Sequence, residues 1–193
     1  MLCYGRSKPP SGCLQYLTDI SGRFKTFNFD DATNQQHLAS QEYEFGDFDK
    51  LGNLSYFYSF SYNICIRQEA GYCCVEYSLC SDANSWTLST NANIANTADL
   101  DTQCDADDHL KIQGLSGNCD PGNFHATLHS KICGAKFSSS TTMALAATDP
   151  NQRVCDCVQP FTVGVYTDAI QETAALNRGA CLEYRQIPCS DGN

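Results

Sequence analysis

Basic residues are scarce in this chain of 193 residues: twelve Lys and Arg stand against twenty-two Asp and Glu, for a formal net charge of −10. The twelve cations are scattered, not gathered into a stripe, so nothing offsets repulsion from a phosphate backbone, and the charge argues against nucleic-acid binding. Long apolar runs are missing too. None approaches the roughly 18 residues a bilayer-spanning helix needs, so no membrane span is expected. Met1 to Arg6 lacks the apolar stretch of a signal peptide, which fits a mature secreted protein or a piece of a longer one. There is no Cys-x-x-Cys pair and no Gly-x-Ser-x-Gly elbow, and the four His stand in no recognisable motif with Ser or Asp. Paired carboxylates occur on any acidic surface, so no enzyme is expected.

Cysteine, by contrast, is abundant, with thirteen in the chain. The two close pairs, Cys73-Cys74 and Cys155-Asp156-Cys157, have no zinc-site spacing. So many thiols point to disulfides and to an oxidising, extracellular or lumenal compartment. Up to six bridges with one cysteine left over are expected. A hydrophobic content of 42% fills the core of one domain of this length.

The hydrophobic period is two, the period of strands. Cys73, Val75, Tyr77 and Leu79 alternate with Cys74, Glu76, Ser78 and Cys80, a half-buried strand with cysteines on both faces. Tyr62, Ile64 and Ile66 alternate with Asn63, Cys65 and Arg67, and Phe161, Val163 and Val165 with Thr162, Gly164 and Tyr166. Leu110 and Ile112 mark another strand; Ala180, Leu182 and Tyr184 mark the last, with Glu183 and Arg185 on its other side. Thr141 to Thr148 has the composition for two helical turns, but Ser and Asp-Pro punctuate it as a loop. Ser81 to Asp107 and Gly114 to His129 lack the alternation and are read as surface loops held by Cys104 and Cys119. The pattern predicts an all-β antiparallel sandwich. Cys181 and Cys189 are expected to pair locally across Glu183 to Pro188.

The order of several short elements resembles the CUB domain, and more closely the cysteine-rich CUB-like domains of secreted arthropod proteins. The elements are Gly12-Cys13-Leu14-Gln15-Tyr16, Ser21-Gly22 and Phe27-Asn28-Phe29, then Asn63 to Glu69 with Gly71-Tyr72-Cys73. Cys104 with Asp108-His109-Leu110-Lys111-Ile112 follows, then Lys131-Ile132-Cys133-Gly134, Gln159 to Val163 with Thr167-Asp168, and Asn177 to Gln186. The resemblance implies a jelly-roll β-sandwich with long disulfide-stapled loops, and the bridges Cys13–Cys65 and Cys104–Cys133. Residues 1–11 resemble the joint after a preceding domain, with Cys3 its orphaned cysteine, and 12–193 form the CUB-like domain. An alternative for Cys3 is pairing with another molecule. The Trp that ordinary CUB domains carry after the second cysteine is missing here; the only Trp is Trp86.

The resemblance also implies calcium, held by Asp108 and Asp168 with Asp107 or Asp101 as the third carboxylate. The expected Glu before Cys104 is replaced by Asp99 and Asp101, and one residue is inserted between Cys104 and Asp108, where Asp105 and Asp107 stand. The bland alternative is that these acids solvate a loop. His125 and His129, four apart, would lie about 13 Å from one another on a strand, which argues against zinc. Asn53-Leu54-Ser55 is the one glycosylation sequon. It lies in a segment, Glu44 to Ser61, without counterpart in the arthropod pattern, where eight aromatics fall within the twenty residues from Tyr43 to Tyr62. Phe45, Phe48, Tyr56, Phe57 and Tyr58 cannot all be buried by one strand face and are the candidate interface, unless the segment folds back as a hairpin over its own rings. The sequence thus predicts a secreted, non-catalytic binding or assembly module that contacts an extracellular protein or itself. A polymerising matrix, sheath or filament protein is the alternative, and a calcium-dependent glycan or protein binder the third reading.

Overall fold

In the computed structural model, residues 9–27, 29, 61–82, 85–88, 98–105, 107–117, 119, 129–134, 136–138, 153–167 and 179–189 are described. They form two sheets facing one another. Sheet A has the strand order β1 (Cys13–Leu17), β3 (Ser61–Ile66), β10 (Thr162–Tyr166), β7 (His109–Leu115), β8 (His129–Gly134), β6 (Ala98–Leu100). Sheet B has the order β2 (Ser21–Lys25), β11 (Gly179–Pro188), β4 (Tyr72–Leu79), β9 (Arg153–Asp156), with β5 (Trp86–Thr87) paired to the start of β11. Pairing is antiparallel except between β1 and β3, which run parallel. The all-β sandwich expected from the period-two pattern is the observed architecture.

Alternation explains the core. Ile64, Ile66, Leu110, Ile112, Ile132, Val163 and Val165 of sheet A meet Phe24, Val75, Tyr77, Val154, Leu182 and Tyr184 of sheet B in one buried cluster. Burying such a side chain contributes roughly 1.5–3 kcal/mol, so the facing rows supply the main drive to close the sandwich. At one edge Ser116 and Cys155 exchange backbone hydrogen bonds of 2.9 and 2.7 Å and tie β7 to β9 across the two sheets. Gln186, buried on β11, gathers the loops at one end. Its amide donates to the carbonyls of Asp19 (3.1 Å) and Arg67 (2.8 Å), and its oxygen accepts from the Glu69 N–H (2.9 Å).

Six disulfides join the described cysteines: Cys13–Cys65, Cys73–Cys189, Cys74–Cys157, Cys80–Cys181, Cys104–Cys133 and Cys119–Cys155. The first and fifth are those the resemblance implied. The local bridge Cys181–Cys189 does not form. Cys181 lies within β11 and Cys189 directly follows it, so eight steps along an extended strand put them about 26 Å apart, far beyond disulfide reach. Each instead crosses to β4. Register pairs Leu182 with Leu79 and Pro188 with Tyr72, so Cys181 meets Cys80 at one end of the ladder and Cys189 meets Cys73 at the other. Adjacent Cys73 and Cys74 point to opposite faces of β4 and so take partners in different parts of the chain.

The segment Ser81–Asp107, read as a surface loop, contributes more than a loop. It holds β5, β6 and a 3-10 turn over Asp101–Cys104. Trp86 is buried, its indole N–H donates to the Gly134 carbonyl (2.8 Å), and its ring packs on Phe137 with centroids 5.0 Å apart. Gly114 to His129 likewise begins inside β7 and ends at the first residue of β8. Thr141–Thr148 and Cys3 lie outside the described residues.

Candidate functional site

Three polar surfaces carry the chemistry of the described residues. The first is the edge where the 3-10 turn meets β8, home of the expected calcium ligands. Asp101 stands there with φ +52°, a left-handed conformation that Asp tolerates better than most residues. Its Oδ1 accepts from the Ser130 N–H (2.7 Å), the Lys131 N–H (3.3 Å) and the Ser130 hydroxyl (3.2 Å), and Oδ2 lies 2.7 Å from His129 Nδ1. Burial pushes this carboxyl upward, but the hydrogen bonds from His129, Ser130 and Lys131 outweigh it and hold Asp101 below its ordinary value. Asp101 is thus a clamp on the start of β8, and it does not fit as a calcium ligand because both oxygens are taken. Lys131 pairs with Asp105 beside it. Asp108 is buried at the entry to β7, and the carbonyl of Asp107 lies 2.8 Å from His109 Nδ1. Asp168 lies outside the described residues, as do His125, Asn53, Phe45, Phe48, Tyr56, Phe57 and Tyr58. His129, the other half of the histidine pair, is engaged with Asp101.

The second surface is the outer face of sheet B. Glu76, largely covered, lies 3.1 Å from Arg185 and 3.4 Å from Arg153, and Arg23 pairs with Asp82. A hollow of about 460 Å³ is lined here by Arg23, Glu76, Ser78, Glu183, Tyr184 and Arg185, among others. Two groups on this sheet bring three acid or sulfur side chains together: Glu76 with Cys119 and Cys155, and Asp82 with Cys80 and Cys181. In each group the two cysteines are one disulfide, which leaves no thiolate to hold a metal.

Beneath the same sheet, facing inward, Asp156 is fully buried. One carboxylate oxygen accepts from the Val158 N–H (2.7 Å), while the other and the buried Tyr77 hydroxyl have no hydrogen-bond partner among the described residues. Burial pushes Asp156 up from an ordinary 3.8 to about 7, against the opposing pull of the Val158 hydrogen bond. The sequence offered no signal for this: Asp156 stands there only as the residue between two cysteines.

The third surface is the outer face of sheet A over β3, β10 and β7. Register places Gly164 between Asn63 and Lys111. Tyr166, two residues along, stacks on His109 with centroids 5.1 Å apart and planes 9° from parallel. Burial holds the His109 imidazole below its ordinary pKa despite its contact with the Asp107 carbonyl, and Lys131 and Lys111 act in the same direction.

No helix among the described residues is long and apolar enough to cross a membrane. Among curated proteins none matches the chain. A family model for the animal CUB domain, however, matches residues 10–46 and 47–187. That match spans both sheets and every disulfide pair except the one that ends at Cys189, and with the two-sheet sandwich it establishes that the chain belongs to the animal CUB domain family.

Proposed function

We propose that this CUB domain is an extracellular binding and assembly module, without catalysis of its own, that meets another protein or a second copy of itself through the aromatic segment from Glu44 to Ser61. The family match carries the module reading, since CUB domains are extracellular protein-binding units. The segment is favoured by its aromatic density and by the ring at its C-terminal border. Tyr62 sits at the rim of the core, half-buried, with the ring of Phe27, 41% exposed, packed against it at a tilt, centroids 4.6 Å apart. Residues 1–11 then serve as a joint and 12–193 as the module. A self-contact of head-to-tail type would not close and would build filaments, which is the structural-protein alternative. A calcium-dependent mode would rest on Asp107, Asp108 and Asp168 without Asp101.

Sedimentation of the native particle tests the contact. Changing Phe57 and Tyr58 together to Ser should leave the sandwich folded and lower the mass of the assembly. An unfolded variant would place these rings in the core, and an unchanged assembly would put the contact elsewhere; either result overturns the reading. A glycan at Asn53 belongs on the rim of such a contact, so enzymatic removal should leave the assembled mass, less the sugar, intact.

A further inference from the structure

Glycine in the middle of a strand weakens it and marks a place where something approaches the backbone closely. At Gly164, in the centre of β10, a Cβ would lie 2.8 Å from Tyr166 Cε2, and 3.4 Å from both Asn63 Oδ1 and Lys111 Cβ. Three neighbours therefore lean over the space a side chain would fill. The result is a hollow of about 210 Å³ with Gly164 as floor, Asn63, Lys111, Gln113, Thr162 and Tyr166 as walls, and Pro160 at one end. Sites that enclose a drug-sized ligand measure roughly 300–1,000 Å³, so this hollow suits one ring of a larger ligand.

The walls define the ring's chemistry. Asn63 uses its amide NH₂ on the Gly12 carbonyl (3.3 Å) and leaves Oδ1 toward the glycine. Gln113 and Thr162 add neutral donors and acceptors. Lys111 is the one cation of the hollow, and it carries no ion pair among the described residues, whereas Lys131, its partner in register, is held by Asp105. Tyr166, fixed by the stacked His109, gives a flat wall. On a chain of net charge −10, an anion is attracted only where such a cation stands locally unopposed.

We propose that this hollow is a subsite for an anionic sugar, a pyranose ring bearing one carboxylate or sulfate, presented by an extracellular glycan. A sugar surrounds its single anion with hydroxyls, matching one ammonium ringed by amides and a hydroxyl, and lays a C–H face on the Tyr166 wall. An Asp or Glu of a protein partner would bring a carboxylate on a flexible stem with no ring of hydroxyls to meet Asn63, Gln113 and Thr162. The 460 Å³ hollow on sheet B is less suited, because its Arg185 already pairs with Glu76 and its Arg23 with Asp82.

The test is a titration of the full, disulfide-intact, ¹⁵N-labelled chain with glucuronate, glucose 6-sulfate, neutral glucose and N-acetyl-glutamate amide. At least one anionic sugar should shift the Gly164 amide and the Asn63 and Gln113 side-chain amides saturably, and the stronger of the two names the anion. Glucose should bind about tenfold more weakly or worse. Lys111→Gln removes a charge-assisted hydrogen bond and should lower affinity roughly ten- to a hundred-fold. Gly164→Ala should close the hollow and abolish the shifts; the surface Lys111 variant keeps the test intact if the glycine variant fails to fold. Equal binding of glucose, no saturable shift, or shifts confined to other surfaces would overturn the proposal. Preference for the glutamate amide would overturn it in favour of an acidic protein side chain. The Phe57, Tyr58 double variant should leave this titration unchanged, so failure of the aromatic contact and failure of the sugar subsite are separable.

Discussion

The two sheets of this sandwich use the same alternation to different ends. Sheet B is tied to itself: its central ladder, β4 with β11, carries a disulfide at each end, and Glu76 on its outer face is held between two arginines. The central strands of sheet A, β3, β10 and β7, are joined to one another by ladder hydrogen bonds and packing, with no disulfide between them; the sheet's disulfides lie toward the edges, at Cys13–Cys65 and Cys104–Cys133. There the outer face keeps Lys111, without an ion pair among the described residues, beside a glycine floor. A face whose charges satisfy one another contributes to holding the fold, while a face that leaves a charge and a hollow open has interactions left to offer a ligand.

The largest test of that contrast removes a staple. Changing Cys73 and Cys189 together to Ser opens a sequence separation of 116 residues. The chain-entropy model puts the cost between about 3 kcal/mol, for the short ring closed through the intact Cys80–Cys181 bridge, and about 5 kcal/mol for the open separation, to be read from urea unfolding. The sugar titration of the folded variant should not change; a loss of affinity would mean that the sheets are not independent.

Asp156 gives the next effect. Its folded pKa is raised, to about 7, so the sign follows from proton counts. Below the ordinary 3.8 the carboxyl is protonated folded or unfolded and costs nothing. Between the two values the unfolded chain ionises while the folded chain keeps its proton, so stability falls as pH rises and levels off above about 7. The loss should amount to roughly 3–5 kcal/mol. Asp156→Asn, which keeps the acceptor for Val158 and cannot ionise, should remove that slope from unfolding curves measured across the window.

Smaller effects belong to the surface. Asp101→Asn keeps a residue that tolerates positive φ and deletes only the charge, so it should cost about 1 kcal/mol through the β8 clamp. Any rise in melting temperature on adding calcium should be the same in this variant as in the wild type. Smallest of all is the paired substitution across the molecule. Glu76→Gln on sheet B should cost up to about 1 kcal/mol, while Lys111→Gln on sheet A should stay within about 0.5 kcal/mol, measured by denaturant midpoint. Equal costs would erase the distinction between a holding face and an offering one.

Strands with long alternation were legible in the sequence. Tyr72–Leu79, Ser61–Ile66, Thr162–Tyr166 and Gly179–Pro188 all emerge from apolar residues at every second position. β5 is two residues long, too short for any period to register, so Trp86 looked like part of a loop although its ring closes the core against Phe137. The candidate site was legible only in its residue types. Asp101, Asp107 and Asp108 were visible as acids near Cys104, but only the fold shows that Ser130, Lys131 and His129 occupy Asp101. Gly164 was visible as the odd member of an alternating strand, and nothing local said which side chains would lean over it.

By itself the sequence determined the all-β class, the disulfide chemistry and the outward polarity, because these depend on composition and on a period that repeats every two residues. Which cysteine meets which, which charges neutralise one another and where a hollow is left depend on register between strands far apart in the chain. Cys181 and Cys189 are near in sequence yet held apart by an extended backbone, while Cys73 and Cys189 are brought together across a ladder. Asn63, Lys111 and Gly164 form one row only because β3 and β7 both pair with β10, and only the folded sheet decides that.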